Sequence, residues 1–343
     1  LVSDDILKFL KKHHGEKIYS MGSELKEGEK VSTGIFPIDF MLGGGIPLGK
    51  ITHIYGPKDA AKTTLALSIT GELQRAGKKC FYVDTENTFD PNWADTLGID
   101  LNNLMVFQPA NGEQIVDIVD GLLNCDDIDF GVIDSLGAII TTNEIESYGD
   151  KQIVAGSSSI ITKILRKAIH AQLEQSKKEY YPTLLCVNQV RQKIGVLYGN
   201  PEYAPGGAMV EHAPSLNLRI TGKPVIYKEV NPNVAIKHQL NLTVKKSKMK
   251  TVLNHIEFEI GLQNVGSIKA GKNDDADLML KYLKSFNLLG KLGTTIICLG
   301  REYTSQKALK EDIVNDNEWK MYVQQQLIET GQVQFGEEQM VDE

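Results

Sequence analysis

The chain has 343 residues, of which 41% are hydrophobic and 24% charged, and a formal net charge of −7. That length supports a sizeable core with smaller appendages, and the composition is that of an ordinary globular protein. The acidic excess argues against general affinity for nucleic acid, so any DNA site has to be a local basic track. No apolar run approaches membrane-spanning length, and the opening LVSDDILKFLKKHHG has neither the apolar segment nor the small-residue cleavage site of a secretory signal. Cys80, Cys125, Cys186 and Cys298 stand singly. They are expected to be buried free thiols of a reducing, cytoplasmic compartment.

Alternation of strand-like and helix-like segments begins near Ile51. ITHIYG is a short apolar run ending at glycine, KTTLALSITGELQRAG has helical apolar spacing, and KCFYVDT is again strand-like. Asn111 is placed to cap the helix EQIVDIVDGLL, with Gln114 as its capping-box partner. FGVIDS and TLLCVNQ are two more buried-type strands. The pattern predicts an α/β domain with a mostly parallel sheet covered by helices on both faces. Arg191 to Gly207, RQKIGVLYGNPEYAPGG, holds four glycines and two prolines without periodicity, which marks a functional loop. NLRIT, HQLNLTV and HIEFEIG then predict antiparallel strands, interrupted by a lysine cluster from Lys245 to Lys250. GLQNVGSIKAGKNDDAD reads as a linker, followed by LMLKYLKSFNLLG; NEWKMYVQQQLIETG reads as a helical end and GEEQMVDE as a frayed acidic tail.

Three signals carry chemistry. GPKDAAKTT, from Gly56 to Thr64, follows a strand and opens a helix. It approximates the phosphate-binding pattern GxxxxGK[ST], in which backbone amides cradle phosphates, lysine reaches the terminal phosphates and the hydroxyl holds magnesium. Its second glycine is replaced by Ala61; the same letters also describe a plain strand–turn–helix with a solvated lysine. FGVIDS ends in Asp134, expected beside the phosphate-loop strand and able to hold magnesium through water, or else to cap a turn. Glu86, after CFYVDT, has the chemistry to orient or deprotonate an attacking water, and is equally a surface residue at a strand end. Trp93 is a core residue by default.

STGIFPIDFMLGGGIPLGKITHIYGPKDAAKTT, FYVDTENTFDPNWADTLGIDLNNL, GVIDSLGAIITTNEIE and VNQVRQKIGVLYGNPEYAPGG resemble the bacterial RecA family in order and spacing, over about Lys12 to Thr330. The resemblance implies a RecA-type P-loop ATPase core with an antiparallel extension, a small N-terminal arm and a small α+β C-terminal domain. Its units would be a polymerisation arm at 1–24, the ATPase core with its DNA-binding loops at 25–268, the C-terminal domain at 269–330 and an acidic tail at 331–343. It implies ATP and Mg2+ as cofactors, and a helical homo-polymer acting on single-stranded and homologous duplex DNA in recombination, repair and the SOS response. Single-stranded-DNA-binding protein and loading factors would be further partners. By resemblance, Gly56, Pro57, Lys58, Asp59, Ala60, Ala61, Lys62, Thr63 and Thr64 hold the nucleotide, and Thr63 and Asp134 the metal. Glu86 activates water, Asp90 and Trp93 contact adenine, and Gln189 senses the γ-phosphate. Lys246 and Lys248 reach a neighbour's γ-phosphate. DNA contacts fall on Thr162, Arg166, Arg191, Gly195, Gly199, Asn200, Gly206 and Gly207, with a first DNA loop at about Glu146 to Gln152.

Several positions depart from the family pattern. Ala61 replaces a glycine, Ser159, Asn217, Asn241 and Thr243 stand where basic residues are usual, and His212 stands where an aromatic is usual. The arm is short, with Ile6 to Met21 expected to form a helix and strand. Two alternatives stay open on the sequence: a hexameric motor on the same core, and a DNA-binding relative that has lost turnover, for which Ala61 is the support.

Overall fold

The computed structural model describes residues 8, 9, 12, 28–146, 156–192, 202–226, 235–265, 268–273 and 275–338. The elements begin with Lys30–Val31 (β1), helix Phe36–Leu42 (α1), Ile46–Pro47 (β2), Ile51–Gly56 (β3), helix Lys62–Arg75 (α2), Cys80–Asp84 (β4) and helix Pro91–Thr96 (α3). Leu104–Phe107 (β5), helix Gly112–Leu123 (α4), Phe130–Asp134 (β6), helices Thr142–Glu146 (α5) and Gly156–Ser176 (α6), and Thr183–Gln189 (β7) follow. Arg191–Gln192 (β8), Glu202–Tyr203 (β9) and helix Met209–His212 (α7) lead to the strands Leu216–Ile226 (β10), Ala235–Ser247 (β11) and His255–Gly261 (β12). The chain closes with Ala276–Ser285 (α8), Leu289–Leu292 (β13), Thr295–Cys298 (β14), Arg301–Tyr303 (β15), Gln306–Asn315 (α9) and Asn317–Glu338 (α10).

Among the described residues, eight strands form one sheet in the order β12-β11-β10-β3-β7-β6-β4-β5. The run from β10 through β5 is parallel, and β10-β11 and β11-β12 are antiparallel. This is the expected parallel sheet with an antiparallel extension. The reason is legible in β4: Phe81 and Val83 pack into one core with Ile115, Val119, Ile164 and Leu165 of α4 and α6. Cys80 and Tyr82 pack into the other, with Leu65 and Ile69 of α2. Side chains alternate across a strand, so a strand covered on both faces must be apolar throughout. Asn111 caps α4 as expected: its Oδ1 accepts the Gln114 amide at 3.0 Å, and Gln114 Oε1 accepts the Ala110 amide at 2.7 Å.

The C-terminal part combines α8, the antiparallel sheet β13-β14-β15, α9 and α10, and Tyr282 of α8 packs on Phe40 of α1 with ring centroids 4.4 Å apart.

Four expectations need correction. Asp134 is not on the strand beside β3, because β7 lies between β3 and β6. Cys125 is exposed, while Cys80, Cys186 and Cys298 are the buried free thiols. The stretch after Gly261 folds back on the sheet: the Gly261 amide donates to Lys272 O at 2.8 Å and the Gly271 amide to Gly261 O at 2.9 Å. Helix α10 runs on to Glu338, so the beginning of the acidic tail is helical. Most of the expected arm and of the first DNA loop, and Gly195, Gly199 and Asn200, lie outside the described residues.

Candidate active site

The carboxyl ends of β3, β4, β6 and β7 meet at one edge of the sheet, where an α/β fold gathers its ligands. Gly56 ends β3, and no other residue fits there: a Cβ would sit 1.9 Å from Ile220 O of β10. Pro57 to Ala61 then turn into α2. Ala60 is buried and Lys58 and Asp59 are exposed. Asp59 (φ +59°) and Ala61 (φ +56°, ψ +27°) are left-handed. Ala61 therefore takes the conformation that the consensus glycine supplies, with a methyl group in place.

Lys62 opens α2, and its Nζ folds back to donate to Pro57 O at 2.6 Å. Burial pulls its pKa down, opposed by the charges of Asp134, Glu86 and Asp59. Thr63 follows with its Oγ1 donating to Asp134 Oδ2 at 2.7 Å. Tyr82 donates to the same oxygen at 2.7 Å. Tyr82 shares the α2 face of the sheet with Asp134, and a buried tyrosine hydroxyl needs a partner. Burial raises the Asp134 pKa, these two hydroxyls lower it, and the nearby Glu86 raises it. A hydroxyl and a carboxylate oxygen in hydrogen-bond contact at the end of the phosphate loop are hard donors of the kind Mg2+ takes, so the residues present fit that ion.

Glu86 is brought in from β4. Its Oε1 accepts Ser135 Oγ at 2.6 Å and Gln189 Nε2 at 3.1 Å. Thr85 locks this corner: the Ser135 amide donates to Thr85 Oγ1 at 2.7 Å, and that hydroxyl donates to Ser135 O at 2.8 Å. Asp84 is buried below, accepting the amides of Thr88 and Phe89 and Gln108 Nε2. Asp90 caps α3, its Oδ1 accepting the Asn92 and Trp93 amides. Trp93 is half-buried against the core.

Gln189 lies opposite Gly56 in the β3–β7 register, and the next amide, Val190, donates to Gly56 O at 3.1 Å. The chain then enters the glycine-rich loop. Arg191 pairs with Tyr203 and Gln192 with Glu202, so β8 and β9 form a short ribbon. Arg191 Nη2 donates to Gly137 O at 3.2 Å. Gly206 (φ +114°) and Gly207 (φ +72°) close the loop in backbone conformations that suit glycine. Thr162 and Arg166 lie one turn apart on α6, so they share a face; Arg166 is exposed.

Lys246 and Lys248 are not at this chain's phosphate loop. Lys246 pairs with Asn217, which sits beside His53 in the middle of β3. Its Nζ donates to the carbonyls of Glu211, His212 and Pro214 at 3.0, 2.7 and 2.9 Å. Lys248 is exposed. The sequence reading missed Ser135, Tyr82, Thr85 and the ion pair of Glu202 with Arg219. The serine directly follows Asp134 in FGVIDS, and a tyrosine in a run of buried apolar residues was itself a signal. The ion pair joins residues 17 apart with nothing in either to announce the other.

Residues 2–266 match the family described as the RecA N-terminal domain. The chain is 34% identical over 315 residues to protein RecA of Caulobacter vibrioides, covering 82% of this chain and 85% of that one. It is 34% identical over 274 residues to protein RecA of Mesomycoplasma hyopneumoniae, covering 78% and 79%. With a mitochondrial DNA repair protein recA homolog of Dictyostelium discoideum it shares 33% identity over 273 residues, 77% of this chain and 59% of that one. The crystal structure of the RadB recombinase superposes with a TM-score of 0.50 at 22% identity, over 68% of this chain and 96% of that one, which bears on the fold alone. Among the described residues no helix is long and apolar enough to cross a membrane.

Proposed function

Because this chain belongs to the RecA family, we propose that it is an ATP-dependent recombinase. It assembles as a helical homo-polymer on single-stranded DNA, pairs that strand with homologous duplex and exchanges strands. It hydrolyses ATP to ADP and phosphate at a rate that DNA raises. The observation that carries this reading is Gln189, which touches Glu86 at one end and opens the glycine-rich loop at the other. One side chain thus joins the site of hydrolysis to the segment expected on DNA.

In this reading the backbone amides from Lys58 to Thr64, at the positive end of α2, take the phosphates. Lys62 exchanges the Pro57 carbonyl for a phosphate oxygen. Mg2+ supplies charge neutralisation on the phosphates when bound, and Thr63 and Asp134 are the residues that would hold it. Glu86, held by Ser135 and Gln189, orients the attacking water. Asp90 and Trp93 border the base. Lys246 and Lys248 act on the nucleotide of a neighbouring subunit, and Lys246 leaves three carbonyls of its own chain to do so. Thr162, Arg166 and Arg191 and the amides of Gly206 and Gly207 contact the DNA backbone, which lets an acidic protein bind DNA without a large basic surface. Single-stranded-DNA-binding protein and loading factors are partners in the same scheme, and the cytoplasm is its compartment.

The test is ATP hydrolysis with and without single-stranded DNA, for the wild type and Glu86→Gln. Turnover should rise with DNA, and Glu86→Gln should abolish it while nucleotide binding stays within about twofold. Hydrolysis indifferent to DNA, with no strand exchange, would overturn the proposal. Closed rings in place of open helical filaments by electron microscopy would favour a hexameric motor.

A further inference from the structure

The returning end of the glycine-rich loop is fastened at two points to one row of the central sheet. Tyr55, the last residue before Gly56, lies between Asn188 of β7 and Arg219 of β10 in register. Asn188 Nδ2 donates to Pro205 O at 2.8 Å. On the other side of Tyr55, Arg219 donates through Nε at 3.1 Å and Nη2 at 2.6 Å to Glu202 Oε2. Glu202 is on the returning strand of the β8–β9 ribbon that carries the loop. The Arg219 and Glu202 side chains are only 26% and 25% exposed. A pair this far withdrawn from water costs more to break than an open surface pair. The pair borders a cavity of about 520 Å³ lined also by His53, Tyr55, Asn217 and Lys246. His53 is buried there beside Asn217. Among the described residues, the Arg219–Glu202 ion pair ties the returning strand of the ribbon to the sheet beside this open space, and Arg191 on Gly137 O ties the departing strand.

We propose that Arg219 is a positioning residue for DNA binding: its bond to Glu202 holds the ribbon in the posture that the phosphate-loop strand dictates. The bond keeps the returning end of the loop seated, so that the loop can follow Gln189 at its departing end. The inference rests on the recombinase reading. It predicts that DNA affinity answers to nucleotide only while the returning end is held, although Arg219 touches neither Glu86 nor the phosphate loop's side chains in the contacts described.

The experiment compares the wild type with Arg219→Ala, Glu202→Gln and the double reversal Arg219→Glu with Glu202→Arg. Two quantities are measured: hydrogen exchange at the amides of residues 191–192 and 202–203, and the ratio of single-stranded DNA affinities with ATP and with ADP. Each single variant should speed exchange at the ribbon and reduce the ATP-over-ADP ratio about tenfold, within the usual range of coupling between sites. Affinity for a fluorescent ATP analogue without DNA should stay within about twofold, the span expected for a residue that does not touch nucleotide. The double reversal should restore most of both effects, which a general loss of stability would not. Unchanged exchange in both single variants, or faster exchange with an unchanged ratio, overturns the proposal. If the wild type itself shows no ATP-dependent DNA affinity, the recombinase reading falls, and the exchange comparison still decides whether the pair holds the ribbon.

Discussion

Ala61 offers the sharpest test of how the phosphate loop is built. Its backbone is left-handed at φ +56°, where an L side chain costs about 1–2 kcal/mol. Ala61→Gly removes that cost, but a glycine also gains freedom in the unfolded chain, which returns roughly 0.4–1 kcal/mol. The balance is a stabilisation of about 0.5–1 kcal/mol, or a rise of about 2 °C in the thermal midpoint for a chain of this size. The loop already makes the left-handed turn with the methyl in place, so nucleotide affinity should change by less than about threefold, under 0.7 kcal/mol. Thermal melting without nucleotide and titration with a fluorescent ATP analogue measure the two effects separately. A lower or unchanged midpoint would refute the strain argument. An affinity gain of about tenfold or more would show that the methyl meets a phosphate instead of loading the backbone.

Ser135→Ala should lower kcat about tenfold by freeing Glu86 to turn, while nucleotide affinity stays within about twofold in the same titration. Tyr82→Phe removes one of the two hydroxyls on Asp134 and should cost about 1–2 kcal/mol in denaturant unfolding; it should also raise the Mg2+ concentration for half-maximal nucleotide binding roughly tenfold, the usual scale for a group that orients a metal-holding carboxylate. Gly56→Ala should leave little folded protein by circular dichroism, because its methyl would collide with the Ile220 carbonyl. Burial holds the His53 pKa down to about 4 from 6.5. The unfolded chain therefore takes up this proton first, so the stability His53 contributes is complete above pH 6.5 and is lost as pH falls toward 4, by about 3 kcal/mol. The pH profile of unfolding for His53→Gln should be flatter over that window.

The parts of the site that were legible in the sequence are those fixed by local chemistry. The phosphate loop announces itself by order, strand then Gly56 then Lys62 and Thr63, because anion binding at a helix start needs only neighbours in the chain. Strands buried on both faces announce themselves by unbroken apolar runs, as FGVID does. Strand order is another matter: nothing in FGVIDS or TLLCVNQ says that β7 enters between β3 and β6, since each strand is apolar on both faces and fits any interior position. Contacts made across the sheet were invisible for the same reason. Ser135 reaches Glu86 from 49 residues away, and Tyr82 reaches Asp134 from 52. Cys125 misled because it stands past the C-cap Asn124 in an exposed turn, while its apolar neighbour Leu123 ends α4 inside the core. The glycine- and aspartate-rich stretch after Gly261 looked like a linker because turns and linkers use the same residues.

The row Asn188, Tyr55, Arg219 has a consequence for the pace of the cycle. A strand that slips by one residue turns its buried side chains to the wrong face, and the smallest slip that keeps them is two residues, roughly 6.6 Å. With Leu216, Leu218 and Ile220 of β10 in one core, and β3 and β7 contributing to both cores, neither slip is accessible in a folded molecule. The sheet is therefore a fixed ruler, and what changes between nucleotide states must be side chains and loop segments hung from its edge. Such parts rearrange faster than packed strands. Selection can then harden the core for endurance without slowing turnover, because the two properties reside in different parts of the molecule.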